Sequence, residues 1–399
     1  MSQIPLLIVS DSPTGPSGLG RITRELAIRI DKDLKDVFRV GTLGYGEPRS
    51  RYLPFEQYPI RHIDNFIIPE LPGVWKDFAG DEEGIIMTIW NPGWLWWFSN
   101  PDKIGDGELK DFLKRKPFKS WGYFPIDAEG PNWKMIQSEA NTIKGFDRIL
   151  AYTKWAANNI DRALGNIGCD EPVTEYLPHG TDTAVFYPRD KKEARATFLK
   201  RMLNKDAVLK DDTFLIGIAA TNTPRKDWGL GFEVCHELLQ RGVNVGLWAH
   251  TDALQKGGSW NLLTLADEFE MNERTIFTND HYSDDTMAWA YNAMDVTLGI
   301  GSGEGWGMPL SESLACNVPV IHGNYAGGAE IVPEEFRIDP IGFRIDGFFG
   351  ARRPVFKASD WADKVIAAKD VPCGLERKYW WHGRNGAWQQ WKKWLCDGV

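Results

Sequence analysis

Short apolar runs and helix-patterned segments alternate along this chain twice over, and that alternation restricts its fold more than any other feature. Residues 4–10 read as a buried parallel strand, an apolar run that ends in a turn-rich loop. The loop at 11–20 feeds a helix with Ile22, Leu26 and Ile30 on one face. Further strands are expected at 37–43, 84–90, 119–125, 148–152 and 173–177, with a helix capped by Thr153 between the last two. The pattern restarts at 213–220 and continues through strands at 243–249, 275–278, 295–300 and 318–322. Helices are expected between them near 228–240, 260–269 and 284–293. Strands alternating with helices predict parallel sheets covered on both faces, and the restart predicts two such domains. A length of 399 residues agrees with two domains. The expected fold is α/β, with two Rossmann-like, doubly wound domains over residues 1–182 and 183–375. A C-terminal helical segment follows at 376–399.

One loop concentrates the chemistry. Residues 301–312 read Gly-Ser-Gly-Glu304-Gly305-Trp306-Gly307-Met308-Pro309-Leu-Ser-Glu312. The glycines let backbone pass close to a ligand. Pro309 suits the first position of a helix, where its missing N–H costs nothing. The helix start would then aim its N–H groups and positive dipole end at the loop, which makes an anion site. A phosphate or diphosphate flanked by Glu304 and Glu312, each able to hold hydroxyl groups, describes a nucleotide-sugar pocket.

This stretch, continuing through Ser-Leu-Ala-Cys-Asn-Val-Pro319-Val-Ile321 to Gly327-Gly328-Ala-Glu330, resembles the signature of the large retaining glycosyltransferase family of GT-B fold, glycosyltransferase family 4-like. The segment Pro178-His179-Gly180-Thr-Asp182 is similar to that family's interdomain segment. The resemblance runs from about residue 120 to 335, and before that it covers only the glycine loop. It implies two domains facing across a cleft, with the C-terminal helix crossing back to the first. It implies transfer of a sugar, a hexose by expectation, from a nucleoside diphosphate donor. UDP-sugar is the expected donor, with no prosthetic group. Arg225 and Lys226 match the last two positions of the family's basic Arg-x-x-Pro-Arg-Lys pattern and would grip the diphosphate. The earlier Arg falls at Thr221 or Asn222. Glu312 would take the ribose hydroxyls and Glu304 the sugar hydroxyls. A front-face route assisted by the leaving phosphate is implied, with Glu304 not a covalent nucleophile.

Other candidates come from position. Gly15, Gly18 and Gly20 allow close approach to the diphosphate, and their spacing is wrong for the dinucleotide fingerprint. Arg225, Lys226 and Glu304 are the expected catalytic groups, joined by Asp127 at a strand end. Gly305, Trp306, Gly307, Met308, Pro309, Glu312 and Tyr282 join the basic pair and the glycine loop as donor contacts. Trp90, Trp94, Asp127 and His179 are the expected acceptor contacts. The terminal tryptophans, Trp380, Trp388, Trp391 and Trp394, are expected to pack. No Asp-x-Asp stands at a strand end, so no metal is expected.

Net charge is −9, which lacks the global basic character of nucleic-acid binders, although Lys110–Lys119 is a local basic run. Five scattered cysteines suit a reducing cytoplasm. No apolar run reaches the roughly 18 residues of a membrane span. The acceptor stays open among a glycan, a small molecule and a modified base in nucleic acid. A sugar-nucleotide epimerase and a non-catalytic scaffold of the same fold are the remaining alternatives.

Overall fold

The computed structural model describes residues 3–46, 48–60, 66–131, 135, 137–169, 171, 173–203, 212–254, 260–347 and 350–399. It divides into two compact units, Met1–Leu177 and Pro178–Val399. The first holds β1 (Ile4–Asp11), β2 (Phe38–Tyr45), β3 (Glu56–Ile60), β4 (Gly84–Thr88), β5 (Phe118–Phe124), β6 (Arg148–Ala151) and β7 (Glu175–Tyr176). These pair in the order β3-β2-β1-β4-β5-β6-β7, all parallel. The second holds β8 (Phe214–Ala219), β9 (Val245–His250), β10 (Thr275–Thr278), β11 (Val296–Gly299), β12 (Val320–Gly323) and β13 (Arg337–Ile338). Their order is β10-β9-β8-β11-β12-β13, again parallel. An antiparallel hairpin, β14 (Gly342–Ile345) with β15 (Arg352–Val355), follows it.

The central strands are buried on both faces, as parallel sheets require. Leu6, Leu7 and Ile8 of β1, and Leu215, Ile216 and Ile218 of β8, are fully buried. Helices start where capping residues stand. Ser17, Thr153, Asp227 and Ser283 each accept an N–H from the first turn of the helix they precede.

Three expectations change. Strand 84–90 ends at Thr88, because Asn91 and Pro92 turn the chain into a short 3₁₀ helix, Pro92–Leu95. The helix of the signature loop runs Met308–Ala315, so Pro309 is its second residue rather than its first. The C-terminal stretch is not one helix. A single turn covers Arg377–Tyr379, Gly383 takes φ 95°, and the regular helix is Ala387–Asp397. Trp388, Trp391 and Trp394 are buried there, and the Trp391 Nε1 donates to the Pro178 carbonyl at 3.0 Å.

Candidate functional site

Each sheet reverses its strand order once, between β1 and β4 in the first unit and between β8 and β11 in the second. Open α/β sheets bind ligands outside the carboxyl ends of their strands at such a reversal. In the second unit the loop after β8 carries Arg225 and Lys226, and the loop after β11 carries Glu304. Backbone bonds lace these two loops together. The Ser302 N–H and hydroxyl both donate to the Arg225 carbonyl at 2.8 Å, and the Asp227 N–H donates to the Ile300 carbonyl at 3.1 Å.

Glu304 is only 8% exposed. The Lys226 ammonium donates to its Oε1, and the Arg225 Nη1 stands 3.3 Å from Oε2 and 2.9 Å from the Gly303 carbonyl. Burial pushes the Glu304 carboxyl up. The charges of Lys226 and Arg225, with the Lys226 hydrogen bond, outweigh it and hold the group at about 2. Glu304 is therefore a carboxylate at neutral pH, able to accept hydrogen bonds and unable to supply a proton. A Cβ at Gly301 would overlap the Glu304 carboxylate, so a larger residue there would push the carboxylate from this position.

Gly307 caps the following helix at φ 86°, a left-handed conformation that glycine takes without strain. Gly307, Met308 and Pro309 are partly exposed, so the helix start is open to solvent. Glu312 is 4% exposed and is not a solvated surface acid. The Trp306 indole is held edge-on by His179 and by Tyr379, each with ring centroids 5.1 Å away. Its ring is thus packing, and a ligand contact at 306 falls to the backbone. His179 is buried beside it, and burial lowers its imidazole to about 3, so it is neutral.

The position expected to carry a further Arg has another use. Asn222 is buried, and its side-chain amide donates to the carbonyls of Asp252 and Trp260 at 2.9 and 2.8 Å and accepts from the Trp260 N–H at 3.0 Å. It ties the basic loop to the loop after β9. Beside that loop His250 stacks on Trp248 and lies 5.4 Å from the Tyr282 ring. Burial lowers the His250 imidazole, and its Nδ1 lies 2.8 Å from the Thr278 hydroxyl.

In the first unit Asp11, at the end of β1, organises the glycine loop. It accepts from the Ser17 hydroxyl at 2.5 Å and from the Trp90 indole at 2.9 Å. Trp90 is buried, so it serves as wall and anchor. A Cβ at Gly20 would overlap the Ser12 carbonyl. Gly20→Ala is expected to lower the stability of this unit by about 1–3 kcal/mol, read as a drop in denaturant midpoint. Trp94 stacks on Phe66 at 4.4 Å. Asp127 is half-buried after β5, and Glu139 of the helix Gln137–Ile143 lies within its field. Burial and then the Asp127 charge push the Glu139 carboxyl up to about 7. Ionising it is penalised as pH rises from its unfolded value through 7, so Glu139→Gln is expected to raise the melting temperature above pH 7 and leave it unchanged at pH 4.

The basic run is largely answered by carboxylates. Lys110 pairs with Asp106 at 2.8 Å, Lys114 with Asp102 at 2.6 Å and Lys116 with Asp147 at 2.8 Å. Asp11 carries a positional signal, since it ends a strand before the glycine loop. Glu139 carries none, because the fold alone brings its helix there. Among the described residues no group of three or more His, Cys, Asp or Glu could hold a metal ion. Among them no helix is long and apolar enough to cross a membrane.

Comparison with known proteins fits this geometry. Residues 243–351 match the family model described as Glycosyl transferases group 1. That span includes Glu304 and Glu312 and stops short of Arg225 and Lys226. No curated protein matches the chain. Among solved structures, the sucrose-phosphate synthase of Thermosynechococcus elongatus superposes with a TM-score of 0.66 at 15% identity, covering 100% of both chains. Anabaena HepE in complex with UDP-glucose gives 0.63 at 13% identity, over 92% of this chain and 89% of that one. A glycosyltransferase from Rickettsia africae gives 0.60 at 15% identity, over 92% and 88%. Together these similarities support glycosyltransferase activity. The chain thus has the GT-B fold, and its second unit matches the glycosyl transferases group 1 family over residues 243–351.

Proposed function

We propose that the chain is a retaining glycosyltransferase, independent of metal, that moves a hexose from a UDP-sugar to an acceptor hydroxyl. The observation that carries this reading is the buried, ionised Glu304 held between Arg225 and Lys226 where the second sheet reverses. As the bond from the sugar to the diphosphate breaks, negative charge grows on the leaving group. Arg225, Lys226 and the N–H groups of Gly305 to Met308 meet that charge, preorganised by the laced loops. Glu312 accepts from the ribose hydroxyls. Glu304 accepts from hydroxyls of the transferred sugar and stabilises positive charge on its ring. The leaving phosphate takes the acceptor proton, and the acceptor enters on the same face, which retains the anomeric configuration.

UDP is preferred as the nucleotide because HepE, which shares the fold, was solved with UDP and glucose and with UDP-glucose. Gly15, Gly18 and Gly20 approach the diphosphate, and Tyr282 stacks on the base. Asp127, Trp90 and Trp94 belong to acceptor binding, with His179 supporting the site through Trp306. A neutral glycan or small molecule is the favoured acceptor class, since Lys110, Lys114 and Lys116 of the basic run pair with carboxylates and the net charge is −9. Five unpaired cysteines support a cytoplasmic setting.

The test is proton NMR of UDP-glucose turnover, with water or a simple glycoside as acceptor. The α-anomer is expected as first product, and Glu304→Gln is expected to be inert. A β-anomer first product would exclude retention, and a new UDP-hexose in place of a transferred or hydrolysed sugar would favour the epimerase.

A further inference from the structure

His322 is the penultimate residue of β12 and is 1% exposed. Its Nδ1 lies 2.6 Å from the Gly299 carbonyl, the residue at which β11 gives way to the Glu304 loop. A carbonyl oxygen only accepts, so Nδ1 carries a proton, and in the neutral ring that burial favours Nε2 is a bare lone pair. That Nε2 is buried without a hydrogen-bond partner. Its direction is fixed by Gly328. A Cβ there would lie 2.5 Å from His322 Nε2 and 3.1 Å from the Glu304 Cβ, so the ring nitrogen and the stem of the carboxylate border the same point. The Gly328 N–H itself donates to the Glu304 carbonyl at 3.1 Å.

We propose that His322 is a positioning residue for Glu304. It acts in two ways. Its Nδ1–H holds the Gly299 carbonyl and so fixes where the loop leaves the sheet. Its bare Nε2 borders the stem of Glu304 and brings no proton to it, so the side-chain donors that reach the carboxylate are those of Lys226 and Arg225. Protonation of Nε2 would add a competing donor and draw Glu304 away from the basic pair. The neutral ring is what burial favours. Glu304 and the Gly299 bond favour the charged form, and Lys226 and Arg337, the other charged groups facing the ring, oppose it. Arg353 supports the same loop from β15, with its Nη1 3.5 Å from the Ser302 carbonyl and its Nε 3.0 Å from Asp346.

This inference rests on Glu304 facing the sugar, and its test has an arm that does not. Protein labelled with ¹⁵N-histidine is expected to show His322 as the Nδ1–H tautomer with Nε2 bare at neutral pH. Its titration midpoint should fall further in Glu304→Gln. An Nε2–H tautomer, or a ring already charged at pH 7, would overturn the proposal whatever the donor proves to be. The second arm compares variants on UDP-glucose, with UDP binding measured by calorimetry. His322→Leu is expected to lower kcat by about 100-fold while the UDP dissociation constant moves less than about 3-fold, because a loop misplaced by about 1 Å costs that much. His322→Asn keeps an N–H for the Gly299 carbonyl and has no basic nitrogen. It should restore most of kcat and lose an acid limb present in the parent. Equal loss of kcat and UDP binding in His322→Leu, unrelieved by Asn, would mark a merely structural residue. Absence of UDP binding by the parent chain would count against the donor reading and leave the tautomer result to decide this one.

Discussion

Glu304→Ala is expected to destabilise the second unit by about 3–5 kcal/mol and to abolish turnover. The carboxylate is a partner of Lys226, whose side chain is 11% exposed, so its removal takes this counter-charge from a nearly buried ammonium. Arg225 is more open, with 35% of its side chain exposed, and relaxes into water at less cost. Glu304→Gln keeps the shape and some of the hydrogen bonding, and its stability loss should be smaller. Its turnover loss should not be, because an amide cannot stabilise positive charge on the sugar ring. Chemical denaturation of both variants, together with UDP-glucose turnover, separates the two effects. A Glu304→Ala chain as stable as the parent would show that the pair with Lys226 contributes nothing.

Lys226→Met acts on the same pair from the other side. Turnover is expected to fall by about 100- to 1000-fold, the size of losing one preorganised group that meets developing charge. The stability effect should depend on pH. The folded value of Glu304 is depressed to about 2, below its ordinary unfolded value near 4.3, so its stabilising contribution is present above about pH 5 and is lost as pH falls through 2. That depression corresponds to about 3 kcal/mol, with burial pushing the group up and the charges of Lys226 and then Arg225 pulling it down. In Lys226→Met the folded value climbs, so the acid limb of the stability profile should flatten and stability at pH 7 should fall. Thermal melts from pH 2 to 7 check this. An unchanged acid limb would place the depression elsewhere.

The sheets were legible because buried parallel strands are written as short apolar runs. Their central members β1, β8 and β11 fall within a residue or two of the expected bounds, and β4 starts where expected and ends two residues early. Of the edge strands, β7 and β10 were expected, whereas β3 and β13 were not legible. β3 reads Glu-Gln-Tyr-Pro-Ile, a polar strand whose proline is tolerated only at a sheet edge. The hairpin of β14 and β15 is rich in arginine and partly exposed, so neither strand shows a clean apolar face. The helix Leu71–Ala79 opens Leu-Pro-Gly, a composition that reads as a turn, although proline is compatible with a first helical turn. For the site, the two loops were readable because each carries its charged groups within a few residues. Their mutual lacing, and the neighbours His322 and Arg353, come from distant segments, as does Glu139 beside Asp127 in the first unit. Asn222 shows the reverse case: a position expected to hold a cation instead holds an amide that binds backbone.

The central claim is that the loop and helix at 301–315 bind a nucleoside diphosphate sugar, and calorimetric titration of UDP into the parent chain and into Glu312→Ala tests it most directly. The account predicts saturable binding by the parent, with a melting transition stabilised by about 2.7 kcal/mol at 100 times the dissociation constant. It predicts that both are lost or greatly weakened in Glu312→Ala. Equal binding by the two chains would contradict the placement of the ribose, and no binding of UDP, GDP or ADP by a folded parent chain would contradict the claim itself.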